Sequence, residues 1–191
     1  LITSRYIGFY STCTVTEKQL IKRCRQHDRV AQQKLYEKYA PVMLSICMRY
    51  VKDYHVACDL MHDGFITVYS KIGDFRSEGS FEGWMRRIFV NTSLGYLRKN
   101  NVLSEAVPVE SAIQLDNRDI SALERMEVAE LRRCIDQLPD GYRVVLNLYA
   151  VEGYSHKEIA QMLGISEGTS RSQYARAKIY LQKLLREAEI I

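Results

Sequence analysis

The sequence predicts an all-α protein made of two small helical domains. Apolar residues recur every three or four positions in several separate stretches, as they do on one face of a helix. No alternation of apolar and polar residues lasts beyond a few positions, so strands are not expected. Residues 101–122 lose this periodicity, contain Pro108 and mix serine, asparagine and acidic residues. This segment is predicted to be a flexible linker between a first unit at 16–100 and a second unit at 123–191.

Composition excludes several classes of protein. The chain has 191 residues, is 47% hydrophobic and has a net charge of +4, which suits one medium core or two small ones. Its 5 cysteines are widely spaced and include no C-x-x-C pair, which favours a reducing cytosol over a disulfide framework. No apolar run is long enough to cross a bilayer. Residues 1–15 fit a secretory signal poorly and are predicted to be an N-terminal tail, for which disorder is one interpretation. We therefore expect a cytoplasmic protein without membrane insertion.

Helix signals divide the first unit into short and long helices. Thr16 followed by Gln19 predicts a capping box and a short opening helix. A longer periodic stretch follows, in which Pro41 predicts a kink or a break. After a third periodic stretch, residues 73–79 are predicted to form a loop. Ser80 is expected to cap the next helix.

The helix after Ser80 has the composition of a nucleic-acid surface. Residues 84–99 include several basic side chains and no acidic one. Phosphates require positive charge and unstacked bases require flat partners, so this helix and the aromatic loop before it are candidates for DNA contact. Trp84 and Phe89 are interpreted mainly as core residues. The polar and basic residues on the other side of the helix are Arg86, Arg87, Asn91, Tyr96 and Arg98.

The second unit begins with two helices on either side of a turn at 139–141. The first is predicted from apolar residues at Val128, Leu131, Ile135 and Leu138, and the second is expected to end at Gly153. Both helices precede the stretch with the strongest functional signal.

Residues 154–185 predict a helix-turn-helix. Ser155 and Glu158 form an S-x-x-E capping box, and Gly164 is expected to adopt the left-handed conformation that ends a helix. Ser166 is the next candidate cap, and the helix after it has one apolar side and one polar, basic side. In helix-turn-helix proteins such a second helix enters the major groove. The alternative is an αα-hairpin whose polar face is merely solvated.

No group of residues in the sequence supports catalysis. Asp59 and Asp63 are one helical turn apart and could bind a metal ion, but a solvated acidic face is far commoner, and no phosphate-binding loop completes such a site. His55, Cys58 and His62 also have the spacing of metal ligands, but three on one helix without a fourth are weak evidence for zinc. We expect no metal, no cofactor and no enzyme activity.

Two groups of motifs resemble the second and fourth conserved regions of extracytoplasmic-function (ECF) sigma factors of the sigma-70 family. The first group consists of DLMHDGF at 59–65, FR at 75–76, GSF at 79–81 and WMRRI at 84–88, followed by Asn91 and LR at 97–98. The second consists of LP at 138–139, YRVVL at 142–146, EGYS at 152–155, EIA at 158–160, LGISEGT at 163–169 and RA at 176–177. Both groups occur in the family's order, with a short acidic linker between them.

This resemblance implies a dissociable subunit of bacterial RNA polymerase that directs initiation at a restricted set of promoters. It implies that core RNA polymerase contacts Asp59, Leu60 and Asp63. The implied contacts to minus-ten promoter DNA are Phe75, Arg76, Ser80, Arg86, Arg87, Asn91 and Arg98. Those to the minus-thirty-five duplex are Ser166, Thr169, Ser170, Arg171, Gln173 and Arg176. The family often has valine where Ser170 stands, so whether this side chain packs inward or faces DNA stays open. An anti-sigma factor is also expected, because a free sigma subunit would compete for polymerase.

Two other functions fit parts of the pattern. A stand-alone helix-turn-helix regulator, whose first unit binds a ligand or dimerises, would bind DNA unaided. A metal-dependent nuclease using Asp59 and Asp63 would require divalent metal. A sigma factor would instead bind core polymerase and would bind promoter duplex poorly alone.

Overall fold

The computed structural model describes residues 16–100 and 128–188. The first part contains α1 (Glu17–Arg25), α2 (Arg29–Tyr50), α3 (Tyr54–Lys71), a 3₁₀ turn (Ile72–Asp74) and α4 (Phe81–Lys99). The second contains α5 (Val128–Gln137), α6 (Asp140–Leu146), a π-helical turn (Asn147–Val151), α7 (His156–Leu163) and α8 (Glu167–Glu187). These two ranges contain no strand, and the predicted all-α fold is confirmed. The predicted tail at 1–15 and linker at 101–122 lie outside the described residues. Of the helices in these ranges, none combines the length and apolar character needed to span a bilayer.

Side-chain caps begin the helices of the first unit. Thr16 and Gln19 form the predicted capping box, with the Thr16 hydroxyl accepting from the Gln19 N–H at 3.3 Å and the Gln19 side chain accepting from the Thr16 N–H at 3.0 Å. Asp28 and Asp53 cap α2 and α3. The Ser80 hydroxyl accepts from the Gly83 N–H at 3.0 Å and begins α4 as predicted. Each cap satisfies backbone donors that have no partner within the helix.

Pro41 does not break α2, although a break was one of the two expectations for it. The helix continues through this residue from Arg29 to Tyr50. Proline has no N–H to donate to the preceding turn, so the helix loses one internal hydrogen bond there. Buried apolar side chains on both sides of Pro41 hold the helix in the core nonetheless; they are Leu35, Tyr39, Met43 and Ile46. Tertiary packing therefore outweighs the local preference.

The core of the first unit forms around α2, which packs against α1, α3 and α4. Phe65 of α3 meets Phe89 of α4 edge to face, with ring centroids 5.2 Å apart. Gly64 makes this close approach possible, because a Cβ atom there would lie 2.5 Å from the Phe89 ring. Phe89 is fully buried, as the sequence indicated.

The second unit has a smaller core of its own and also shares the core of the first unit. Tyr142 and Leu146 of α6 pack with Leu138 and Ala177. On its other side, α6 contributes Val144 and Val145 to the large core around α2, and Leu148 and Ile159 join them there. The two units therefore pack directly against each other through an apolar face of α6.

Several cysteines serve as small apolar core residues, as predicted. Cys24, Cys47 and Cys134 are buried free thiols. Burial raises the pKa of the Cys24 and Cys47 thiols to about 11. These two thiols therefore stay protonated and unreactive at neutral pH.

Gly64→Ala is expected to destabilise the protein by about 2 kcal/mol, because the added methyl group must displace the buried Phe89 ring. Gly95→Ala is the matched control. Gly95 lies in α4 with open space at its Cβ position, so alanine there is expected to stabilise the helix by roughly 0.5–1 kcal/mol. Urea unfolding of both variants measures the difference. Equal effects of the two substitutions would contradict the close approach of α3 and α4.

Candidate nucleic-acid interface

An arginine from α1 holds the loop between α3 and α4 in place. Arg25 Nε donates to the carbonyl oxygen of Ile72 at 3.2 Å, and its Nη2 donates to that of Phe75 at 2.5 Å. Both acceptors are backbone carbonyls, which every residue possesses. The sequence therefore gave no signal for this contact, and Arg25 was missed.

Three aromatic rings, Phe75 of this loop and Phe81 and Trp84 of α4, pack against one another. The ring centroid of Phe75 lies 5.1 Å from that of Phe81 and 5.6 Å from that of Trp84, and Phe81 stacks on Trp84 at 5.5 Å. Phe75 is only 8% exposed, so packing covers most of this residue, which also lines the cavity described next. Trp84 is half-buried. The loop thus rests on a rigid aromatic base.

A cavity of about 590 Å³ opens above this base, between the loop, α4 and the chain segment before α7. The predicted DNA-contacting residues on its wall are Phe75, Arg76, Ser80, Arg86 and Arg87. The second unit contributes Glu152, Tyr154 and Glu158 to the opposite wall. Asn91 and Arg98 lie exposed further along α4. The structure therefore brings most of the predicted minus-ten residues together around one cavity.

Carboxylates of the second unit lie close to the arginines of this cavity. Arg86 Nη2 pairs with Glu82 within α4 at 3.2 Å, and Arg86 Nη1 lies 3.9 Å from Glu152. The pKa of the Glu158 carboxyl is lowered from its usual value by the Ser155 hydroxyl and N–H, with a further contribution from the charge of Arg87. Glu152 and Glu158 were not among the predicted site residues.

The helix-turn-helix geometry is as the sequence predicted. The Ser155 hydroxyl accepts from the Glu158 N–H at 3.3 Å, and the Glu158 carboxylate accepts from the Ser155 N–H at 2.8 Å. Gly164 ends α7 in the left-handed conformation with φ of 69°. The Ser166 hydroxyl accepts from the Thr169 N–H at 2.9 Å and begins α8.

Most of the predicted duplex-contacting residues lie on the open side of α8. Ser166, Thr169, Arg171 and Arg176 are exposed. The Arg171 side chain is 67% exposed and pairs with Glu167 one turn earlier. Gln173 differs from these, since it is half-buried and its amide nitrogen lies 3.8 Å from where a Cβ atom on Gly141 would be.

Ser170, which was predicted to contact the duplex, does not lie with the other predicted contacts on the open side of α8. Its side chain is fully buried, and its hydroxyl lies 3.0 Å from His156 Nδ1. His156 in turn stacks on Tyr149, with ring centroids 4.4 Å apart. Ser170 therefore joins the two helices of the helix-turn-helix, which resolves the question left open by the family's usual valine.

Two of the predicted polymerase-contacting residues are exposed, and the third is buried in the core. Asp59 and Asp63 are exposed on α3, whereas Leu60 is 5% exposed and packs in the core. The Leu60 side chain therefore offers no surface to a partner. Ile66, at the next position along the same face of the helix, is 66% exposed and was missed. Within residues 16–100 and 128–188, no three His, Cys, Asp or Glu side chains are grouped so that they could hold a metal ion.

Comparison with known proteins finds the same two regions. Residues 35–102 match the family described as Sigma-70 region 2, and residues 129–181 match Sigma-70, region 4. The RNA polymerase sigma-H factor of Pseudomonas aeruginosa is 33% identical over 187 residues, which cover 90% of this chain and 97% of that protein. The ECF RNA polymerase sigma-E factor of Escherichia coli K12 is 31% identical over 176 residues, covering 86% and 91%.

A solved structure has a similar fold. It is the sigma factor RpoE of Bartonella quintana, determined in complex with the anti-sigma factor NepR. The superposition has a TM-score of 0.50 at 22% sequence identity and covers 81% of this chain and 96% of that one. At this level of identity the likeness concerns the fold alone.

Arg25→Met is expected to loosen the loop, because it removes both hydrogen bonds to the loop carbonyls. The protein's single tryptophan, Trp84, lies against Phe75 in this loop, so acrylamide should quench its fluorescence more strongly in the variant. Arg23→Met is the control, since Arg23 also lies on α1 but pairs with Asp28 at 2.7 Å. If both variants quench alike, Arg25 does not hold the loop.

Proposed function

The chain belongs to the sigma-70 family, as an ECF RNA polymerase sigma factor, and we propose which of its surfaces bind core polymerase and promoter DNA. Proteins of this family are transcription initiation factors. We propose that this one has no catalytic activity of its own and acts in the cytoplasm, where RNA polymerase is. The observation that supports this function best is the presence of two separate basic surfaces in one chain. One lies on α4 beside the cavity that Phe75 and Trp84 line, and the other lies on α8.

The α4 surface is proposed to hold the non-template strand of the minus-ten element. Extruding a base from the stack costs a few kcal/mol, and a preformed cavity with cations on its wall compensates for that cost. Arg76 and Arg87 are exposed at this cavity and supply charge to phosphates. Ser80 holds the start of α4, and Asn91 and Arg98 extend the polar track along the helix.

The α8 surface is proposed to bind the minus-thirty-five duplex in its major groove. Ser166 and Thr169 lie at the helix N-terminus, which favours phosphate contact. Arg171 and Arg176 follow on the exposed side, and a bidentate arginine–guanine pair is worth about 1–3 kcal/mol of discrimination. Gln173, half-buried beside Gly141, is proposed to support the helix or contact the edge of the groove.

The exposed face of α3 is proposed to bind core polymerase. Asp59, Asp63 and Ile66 recur on one side of the helix, and each is exposed. Such a face offers charge for orientation and an apolar side chain for burial at an interface. Leu60 packs in the core beneath this face and holds α3 in place.

An anti-sigma partner is also proposed. A sigma subunit that binds polymerase competes with other sigma subunits, so its free concentration has to be controlled. The Bartonella quintana sigma factor of similar fold was solved with an anti-sigma factor. A stand-alone regulator remains a weaker alternative, since it would need only the helix-turn-helix and leaves the first unit unexplained.

Reconstituted run-off transcription tests this function. Purified chain with bacterial core polymerase is expected to produce discrete transcripts from fragments of the source genome, and core polymerase alone is not. The chain alone is expected to leave the same fragments without a footprint. Asp63→Asn is expected to weaken polymerase binding while leaving the fold intact, because Asp63 is exposed. A strong footprint by the chain alone, with no transcript, would favour the regulator.

Arg171→Ala is expected to reduce transcription about tenfold or more from promoters with a matching minus-thirty-five guanine, following the value of one arginine–base pair. Promoters with a different base at that position should change little. Ser170→Ala is the neighbouring control, because Ser170 is buried and does not reach DNA. Run-off transcription on a set of minus-thirty-five variants compares them. A base-dependent loss with Ser170→Ala would contradict the orientation of α8.

A further inference from the structure

We propose that α1 takes part in choosing the minus-ten sequence without touching DNA, because the guanidinium of Arg25 sets the position of the loop at 75–80 that receives the extruded base. Arg25 is thus a positioning residue for base selection. The inference rests on the proposed function of the α4 surface. It gives a role in promoter choice to a helix that lies outside both proposed DNA-binding surfaces.

The loop at 75–80 has few internal bonds that could fix its shape. In the described part of the chain, no backbone hydrogen bond outside the helices joins residues 76–79 to another residue. Ser77 has a φ of 61°, in the left-handed region that residues other than glycine rarely adopt. A backbone in such a conformation persists only when its surroundings hold it there. The shape of the loop therefore depends on contacts from other elements.

Arg25 supplies such a contact, and the geometry of its side chain makes the contact specific. Its Nε donates to the carbonyl oxygen of Ile72 at 3.2 Å and its Nη2 donates to that of Phe75 at 2.5 Å. A guanidinium is planar and presents its N–H donors in fixed directions. Because one acceptor begins the 3₁₀ turn and the other begins the loop, the guanidinium fixes the distance between them. A lysine ammonium carries the same charge but does not reproduce this pair of directions.

α1 holds the guanidinium of Arg25 at a fixed place. Leu20, Ile21 and Cys24 bury one side of this helix in the core. At its start, the Glu17 carboxylate accepts from the hydroxyl of Tyr39 on α2. Because α1 is fastened both at its first turn and at its last, its side chain reaches the loop from a rigid support.

The loop forms much of the wall of the cavity proposed to receive the base. Its lining residues are Phe75, Arg76, Glu78, Gly79 and Ser80. An extruded base is read by stacking and by hydrogen bonds to its edge, and such contacts require placement to within about 0.5 Å. A shift of the Phe75 carbonyl therefore changes which base fits best, and does not simply weaken all bases equally.

The alternative role for Arg25 is a direct contact with a DNA phosphate, since the residue is exposed. A phosphate contact strengthens binding to all sequences alike and adds roughly one to the salt slope of binding. A positioning residue changes the discrimination between bases and leaves the salt slope as it is. The geometry points to positioning, because Nε and Nη2 are already bonded to carbonyl oxygens of the protein.

The experiment measures, by fluorescence anisotropy over a range of salt, how the full chain assembled with bacterial core polymerase binds labelled DNA probes. Each probe has a double-stranded minus-thirty-five element and a single-stranded non-template minus-ten element, taken from a promoter that the wild type transcribes. The set places each of the four bases at every minus-ten position. Discrimination is the ratio of affinities between the preferred base and each wrong one.

Three variants separate geometry from charge. Arg25→Met removes the donors and the charge, whereas Arg25→Lys keeps the charge alone. Arg23→Met is the matched control, since Arg23 also lies on α1 but pairs with Asp28 at 2.7 Å. A variant that folds poorly binds every probe more weakly in the same proportion, so poor folding does not alter the ratio between bases.

Both Arg25 variants are expected to lose on the order of threefold or more of the discrimination, out of the roughly fivefold to hundredfold that one wrong base costs in a DNA site. Their salt slopes should equal that of the wild type, and Arg23→Met should change neither quantity. The proposal is overturned if Arg25→Lys discriminates as well as the wild type. It is also overturned if Arg25→Met lowers the salt slope by about one with discrimination intact, or if Arg23→Met loses as much discrimination as the Arg25 variants.

Failure of this inference and failure of the proposed function give different results. A wild-type complex that prefers particular minus-ten bases, with Arg25 variants that share the preference in full, keeps the function and refutes the inference. A wild-type chain that forms no complex with core polymerase, or whose complex binds all probes alike, refutes the proposed function of the α4 surface and with it the role of Arg25 in base selection.

Discussion

The structure depends on the contact between the end of α2 and the segment formed by α6 and the π-helical turn after it. The last carbonyl groups of a helix have no partner within it, and here Arg143 and Asn147 donate to those of Tyr50 and Arg49. A buried guanidinium is tolerated only when it is paired, and Asp140, 2.6 Å from Arg143, supplies the opposite charge. Placing a cation at a helix C-terminus is also favourable for the helix dipole. The second unit therefore caps the central helix of the first.

The polar and apolar groups of this contact contribute unequally to it. When the units separate, Arg143 and the α2 carbonyls exchange their mutual hydrogen bonds for bonds with water, a change whose net cost is modest. The apolar side chains Val144 and Val145 lose their cover, which costs more in proportion to the area exposed. The apolar part of this contact therefore contributes more than the polar part to holding the two units together.

Much of the fold could be predicted from the sequence, because local chemistry determines it. The capping boxes at Thr16 and Ser155 and the left-handed Gly164 lie where the sequence indicated. Contacts between distant parts of the chain could not be predicted in this way. Arg25 and Arg143 bond to backbone carbonyls, which leave no mark on a sequence. Residues 142–148 are all buried in the structure, whereas the apolar periodicity of the sequence predicts a helix there without naming the surface it packs against. Ser170 was undecidable because a hydroxyl suits both a buried hydrogen bond and DNA.

The most direct test of this contact between the two units is zero-length carbodiimide cross-linking of the wild-type chain, followed by mass spectrometry. Lys52 Nζ of the first unit lies 3.9 Å from Asp140 of the second, while Lys38 and Glu17, 3.2 Å apart, lie within the first unit. The contact between the units predicts both cross-links in the free protein. A free chain that forms the Lys38–Glu17 cross-link but not the Lys52–Asp140 cross-link would contradict it.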